Sequence, residues 1–221
     1  MRVNGLDDKL MSQTFLRQDY KIEAKNVHRI LDLGANVGMA TLYLHRLFPD
    51  AKFACVEASP RNWGMLKRTV ELNQIPARIF EAAIGAEEGK IDLYLSANPD
   101  CNSVVPGQEP DTQVVSVPLI SVPYVLEQMG WDSIDVLKLD IEGAEKFVIR
   151  QNNEWLSRVR IIVGESHVGV DYTYAQLIED LAAFGFEFKT VIEETEIHGA
   201  GFVAYNRRLE PAEVHASTAT A

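Results

Sequence analysis

The segment Asp32-Leu33-Gly34-Ala35-Asn36-Val37-Gly38 follows a short apolar run and has the composition of a turn that holds a ligand. Glycine at 34 and 38 lets main chain approach a ligand and supplies positive φ without steric cost. Asn36 tolerates the left-handed region better than most residues. A helix starting after such a turn directs free N–H groups and the positive end of its dipole at the crevice, which favours a carboxylate there. The dinucleotide fingerprint G-x-G-x-x-G, placed on Gly34, requires glycine at 36 and 39, where the chain has Asn36 and Met39. Glu57 stands 19 residues after Gly38, at the end of a second apolar run. A carboxylate at that place accepts from both ribose hydroxyls of an adenosine ligand and repels a 2′-phosphate. The plainer alternatives are a tight turn without a ligand and a surface Glu at a strand end.

A second dense feature is Val136-Leu137-Lys138-Leu139-Asp140-Ile141-Glu142-Gly143-Ala144-Glu145. Asp140 is expected at the carboxyl edge of an apolar strand, where α/β sheets bind ligands. Glu142 and Glu145 stand three apart, so both fall on one side of a helix, where they also complement its dipole as first-turn carboxylates. A further apolar run ends in Gly164-Glu165-Ser166-His167, which puts Glu165 and His167 at the neighbouring strand tip. Asp140, Glu142, Glu165 and His167 are the catalytic candidates. If Asp140, Glu165 and His167 converge, they either work without metal or hold one divalent cation through carboxylate oxygens. No ligand pair stands at a metal-motif spacing, so the metal-free arrangement is preferred. His28, His45, His198 and His215 lack such surroundings and read as solvated or capping.

These residues need elements to position them. Apolar runs at Arg29–Leu33, 52–56, 77–84, Ile134–Leu139 and 160–163 read as strands. Helical stripes lie between them, the first over Ala40, Tyr43, Leu44, Leu47 and Phe48, stopped by Pro49. Segments 91–95 and 114–118 alternate as an antiparallel pair, and 186–192 with 201–205 make a terminal hairpin near His198-Gly199. Strand and helix in alternation, closed by a hairpin, predict a doubly wound, mostly parallel α/β sheet. Residues 1–27 read as a short N-terminal extension, 28–206 as one domain and 207–221 as a disordered tail. Residues 96–112 carry Pro99, Pro106, Gly107 and Pro110 with little that is apolar, and are expected to form a lid or substrate loop.

Composition narrows the function classes. Asp plus Glu number 32 against 21 Lys plus Arg, for a formal charge of −11. Such a surface repels phosphate backbones and anionic lipid, so neither nucleic acid nor membrane is expected as a partner. Cys55, in an apolar run, reads as a core residue, and two cysteines make no disulfide scaffold. No stretch has the length of a signal-peptide core or of the ~18 apolar residues of a membrane span. A cytoplasmic protein is expected.

The spacing Gly34, Asn36, Gly38 is similar to the first motif of S-adenosylmethionine (SAM) methyltransferases, G-x-G-x-G, with Asn at its centre. Taken with Val56-Glu57-Ala58-Ser59-Pro60, Ala82-Ala83, Lys138 to Glu145 and Glu165-Ser166-His167, the chain resembles the FkbM family of SAM-dependent methyltransferases over about residues 28–206. The resemblance implies a class I SAM-methyltransferase fold and methyl transfer, commonly to a hydroxyl of a sugar or secondary metabolite. It implies that Asp32, Gly34, Ala35, Asn36, Gly38, Glu57, Ala58 and Asp140 hold the cofactor, that Ala83 approaches the adenine, and that Asp140 also faces the active site. The second motif reads Glu-Ala-Ser-Pro where Glu-Pro-x-Pro is common, and the short extension is unlike a substrate cap. The expected partner is a small-molecule acceptor. N-methylation, a non-catalytic SAM-binding module and a nucleotide-dependent oxidoreductase are the competing readings, the last disfavoured by the broken fingerprint.

Overall fold

The computed structural model describes residues 11–95, 113–167, 172–192 and 200–209. In chain order the strands are β1 (Arg29–Leu33), β2 (Lys52–Glu57), β3 (Ala77–Glu81), β4 (Ala83–Gly85), β5 (Gly89–Leu95), β6 (Gln113–Ser121), β7 (Ile134–Leu139), β8 (Val159–Ser166), β9 (Phe186–Ile192) and β10 (Ala200–Asn206). The helices are α1 (Met39–Leu47), α2 (Pro60–Leu72), α3 (Val122–Met129), α4 (Glu145–Arg150) and α5 (Tyr174–Ala182). Seven strands form the main sheet in the order β3-β2-β1-β7-β8-β10-β9. β1, β2, β3, β7 and β8 pair in parallel, and β10 enters antiparallel between β8 and β9. The doubly wound, mostly parallel sheet with a terminal hairpin is therefore as expected.

Strand alternation divides the core. Leu31, Leu33, Val56, Leu137, Leu139 and Ile162 meet α3, α4 and α5 residues such as Val125, Val148 and Leu177 on one face. Ile30, Phe53, Cys55, Val136, Ile161 and Val163 meet α1 and α2 residues such as Leu44 and Leu66 on the other. Burial on both faces explains why these strands read as unbroken apolar runs. Helix starts follow their caps: Pro60 takes the first position of α2, and the Ser121 side chain accepts from Tyr124 N–H at α3. Gly130, at φ 65°, ends α3 as the sequence suggests.

Three segments depart from expectation. Residues 77–84 are two strands, not one. The β2–β3 ladder ends at Glu57↔Glu81 because β2 itself ends there. The chain bends at Ala82 and β4 joins a separate three-stranded sheet, parallel to β6, which also pairs antiparallel with β5. A 3₁₀ turn, Glu154–Arg158, precedes β8. The N-terminal extension is built into the core: Ser12–Arg17 forms a π-helical turn on α1, with Phe15 edge-on to Tyr43 at 5.6 Å, and Tyr20, Ile22 and Val27 are buried against it. The expected lid (96–112), the turn at His198-Gly199 and residues 210–221 of the tail lie outside the described residues. No helix among the described residues is long and apolar enough to cross a membrane.

Candidate active site

A cleft opens at the carboxyl ends of β1, β2 and β7. The chain reverses its winding direction between β1 and β7, where such sheets bind ligands. Gly34, Asn36, Glu57, Ala58, Ala83, Asp140 and Glu142 line it as expected, together with Ser59 and Asn62. Asp32, Ala35 and Gly38 do not; they are buried behind the cleft wall.

The two glycines of the turn answer to the fold itself. The N–H groups of Gly34 and Ala35 both donate to the Val56 carbonyl at 3.0 Å, and Gly34 has φ 77°. A Cβ on Gly34 would lie 1.8 Å from the Asp140 carbonyl oxygen. Gly38, at φ 88°, caps α1, and a Cβ there would meet Leu66 and Thr69 at 3.0–3.2 Å. The packing of β7 and α2 against the turn is by itself enough to exclude side chains at both positions, and Gly34 also lines the cleft. Asn36 takes the left-handed conformation (φ 49°), as its type suggests.

Glu57 organises the wall of the cleft. Its Oε2 accepts from Asn36 N–H at 2.7 Å; its Oε1 accepts from Ser59 N–H at 2.8 Å and Asn62 Nδ2 at 3.1 Å. Burial pushes its carboxyl up, and these donors pull it back. Three donors on about four lone-pair sites leave one acceptor position, on Oε2. Among the described residues, Asn36 Oδ1 and Ser59 Oγ are buried without a hydrogen-bond partner. Buried polar atoms are normally paired, and both of these belong to residues of the cleft wall.

The acidic end is organised by a residue that the candidate set omits. Lys138 is only 2 % exposed. Its Nζ donates to the Gly34 carbonyl at 2.5 Å and the Leu33 carbonyl at 3.3 Å, and lies 3.3 Å from Asp32 Oδ1 and 3.4 Å from Asp140 Oδ2. Burial alone would lower its pKa, but the Asp32 and Asp140 carboxylates more than offset this and hold it above the usual lysine range. The signal was a lone lysine among the apolar residues Val136, Leu137 and Leu139 at the carboxyl end of β7. Asp32 Oδ2 accepts from Thr41 Oγ1 at 2.5 Å, so Asp32 anchors Lys138 rather than facing the cleft.

Asp140 and His167 converge, and the third member of their group is Glu142 rather than Glu165. His167 Nε2 lies 3.5 Å from both Asp140 Oδ1 and Glu142 Oε2, and its Nδ1 donates to Glu145 Oε1 at 3.0 Å. Burial works against the His167 charge, yet Glu145, Glu142 and Asp140 together push its pKa up to about 10. Near neutral pH His167 is a donor, not a proton acceptor. Glu142 and Glu165 are pushed up to about 7 by burial and by neighbouring carboxylates, Asp140 among them. Burial would raise Asp140 as well, but Lys138 and His167 hold it below its ordinary value. Asp140, Glu142 and His167 present ligand atoms within 4.8 Å of one another, the grouping a metal ion would need.

The family model for the methyltransferase FkbM domain matches residues 32–198. The chain is 24 % identical over 222 aligned positions to a 31-O-demethyl-FK506 methyltransferase, FkbM, of Streptomyces tacrolimicus, with 83 % of each chain covered. It is 28 % identical over 160 positions to the 2-O-methyltransferase NoeI of Sinorhizobium fredii (strain NBRC 101917 / NGR234), with 62 % of each covered. Among solved structures, a methyltransferase FkbM from Methylobacillus flagellatus KT superposes with a TM-score of 0.63 at 12 % identity. That match covers 88 % of this chain and 48 % of the other, so the chain spans about half of that protein and the likeness is one of fold.

Proposed function

Because the chain belongs to the FkbM methyltransferase family, we propose that its cleft binds SAM and that an alcohol enters at the acidic end, giving O-methylation of a small molecule. The observation that carries this reading is the cleft at the carboxyl ends of β1, β2 and β7, where Glu57 ties the wall together and keeps one acceptor position on Oε2. Two relatives are named for O-methylation, which supports a hydroxyl acceptor. When bound, SAM supplies an already activated methyl group. The protein's work is then mainly positioning, worth roughly 7–11 kcal/mol, against about 3–5 kcal/mol for a general base at ~10²–10⁴-fold.

Each residue has a task in this reading. The remaining acceptor position of Glu57 takes a ribose hydroxyl, and the small side chains of Ala58 and Ala83 leave room for a planar base. Asp140, held ionised, accepts the hydrogen bond of the acceptor hydroxyl. Glu142 or Glu165 takes the proton, because a base with a pKa near the working pH is the effective one. His167 keeps its proton and restrains the carboxylates around it.

Glu57→Gln brings an amide donor against the N–H of either Asn36 or Ser59, whichever way the amide turns, and removes the charge. Binding of S-adenosylhomocysteine, measured by calorimetry, is expected to weaken by about 10- to 100-fold, the scale of a hydrogen bond to a charged group. Binding within twofold of the parent would remove Glu57 from the cofactor site.

The acidic cluster sets the pH dependence. The active base is the deprotonated carboxylate, so turnover is expected to rise as pH increases through about 7, the region to which Glu142 and Glu165 are shifted. Chelation with EDTA is expected to leave that profile unchanged. A rate flat between pH 6 and 8, or one lost on chelation and restored by Mg²⁺ or Mn²⁺, would contradict the metal-free carboxylate base.

A further inference from the structure

Asp140 stands at the centre of the proposed acceptor site, and its orientation depends on a residue 120 positions away. Tyr20, in the N-terminal segment, is 7 % exposed. Its hydroxyl donates to Asp140 Oδ2 at 2.9 Å, and its ring face lies 5.7 Å from Lys138 Nζ. The same Oδ2 is 3.4 Å from that ammonium. One carboxylate oxygen is therefore held from two sides, by Tyr20 and by Lys138. The other, Oδ1, is left turned toward His167 Nε2 at 3.5 Å. A carboxylate held at one oxygen by two donors from different elements keeps its plane, whereas one held by a single ammonium point charge can rotate, because lysine imposes little direction.

The chain around Tyr20 is shaped to deliver it. Gln18 adopts the left-handed conformation at φ 60°, and Lys21 N–H donates to the Gln18 carbonyl at 2.8 Å. Asp19 is buried and clamped by Arg17 Nη2 at 2.7 Å. Phe15, one turn earlier, packs on Tyr43 and accepts Arg46 over its ring at 5.2 Å, which anchors the segment to α1. A hydroxyl within a mostly apolar cluster is an expensive group to bury unless its partner requires it. Phenylalanine at this position would fill the same space.

We propose that Tyr20 is a positioning residue of the methyl-transfer site: its hydroxyl, with Lys138, fixes the carboxylate plane of Asp140 so that Oδ1 faces the acceptor side. The N-terminal segment is by this account part of the catalytic apparatus. The inference rests on the assignment of Asp140 to the acceptor site.

The test compares the full chain with Tyr20→Phe, Asp140→Asn and the double variant. The readout is the ¹⁵N resonances of the His167 ring at pH 7. In Tyr20→Phe the Nε2 resonance is expected to move part of the way toward its position in Asp140→Asn, while Nδ1, held by Glu145, stays at its parent value. In the double variant, Tyr20→Phe is expected to add nothing to the Nε2 shift, as coupled residues behave in a double-mutant cycle. Affinity for S-adenosylhomocysteine is expected to stay within about twofold, because the hydroxyl is on the acceptor side. Turnover of the acceptor is expected to fall about 10- to 100-fold at unchanged KM for SAM, the scale of a small misplacement at the reacting centre. A lower melting temperature with both ring resonances at their parent positions would reduce Tyr20 to a core residue and overturn the proposal. Full turnover in Tyr20→Phe would do the same. Failure of the parent chain to bind S-adenosylhomocysteine would instead overturn the SAM reading, and the resonances would still decide whether Tyr20 orients Asp140.

Discussion

Gly34→Ala is expected to lose about 2–6 kcal/mol of stability, combining backbone strain of order 1–3 kcal/mol with overpacking of about 1–3 kcal/mol. With about 5–15 kcal/mol available to a domain, that is a large share of the total. The new Cβ would stand 1.8 Å from the Asp140 carbonyl oxygen, a main-chain atom that moves only if β7 moves. Two other glycines separate the contributions. Gly164→Ala meets the Leu139 carbonyl oxygen at 1.9 Å without a positive φ, so it reports crowding alone. Gly130→Ala keeps a positive φ of 65° in open space, so it reports strain alone, at about 1 kcal/mol. Urea denaturation of the three variants checks the series through shifts in midpoint at constant slope. A Gly34→Ala midpoint equal to that of Gly130→Ala would mean that β7 yields easily and that the turn is not wedged against it.

The glycine series shows where sequence reading works and where it stops. The strand–turn–helix placement of Gly34 and Gly38 was legible, because apolar runs and helical stripes alternate without ambiguity from Arg29 to Leu72. The reason for glycine was not. Sequence shows that a side chain is absent, but not whether a ligand or the carbonyl of a strand a hundred residues later occupies its place. Residues 77–84 failed for a related reason. Their apolar pattern is continuous, and only the end of the partner strand at Glu57 breaks them in two. The meeting of Asp140 and His167 was legible because each is just past the tip of an adjacent parallel strand, β7 or β8, whereas the sequence joined Glu165 to them where the structure brings Glu142. The partners that set their behaviour were less so. Glu145 reads equally well as a dipole-complementing residue at the start of α4, yet it accepts the His167 proton bond. Tyr20 sits in a segment of mixed polarity with no period, and long-range contacts of that kind leave no local trace.

Lys138 carries the clearest signal that went unused, and its removal is expected to have the other large effect. In Lys138→Met a flexible apolar chain of similar length takes the place of the ammonium. Asp32, fully buried, then keeps Thr41 as its hydrogen-bond partner but loses its counter-charge. Asp140 loses one of the two donors on Oδ2, and the carbonyls of Leu33 and Gly34 lose a shared donor. Breaking a buried ion pair from one side costs about 3–5 kcal/mol, because the surviving charge is left uncompensated. That mechanism makes a second claim. Asp32→Asn, placed in the Lys138→Met background, removes the stranded charge and should recover part of the loss, so the double variant is more stable than the two single effects added together. The pH dependence has a definite sign. Lys138 is held above its ordinary pKa in the folded state, so its stabilisation is fully present below about pH 10 and fades only at more alkaline pH. Between pH 6 and 9 the Lys138 charge itself therefore contributes a constant difference in stability between parent and Lys138→Met, and any pH dependence of that difference comes from the carboxyls that Lys138 holds down, Glu165 and Asp140. Additive losses in the double variant would mean that Lys138 acts by filling space, and that the carboxylates on either side of it find other partners.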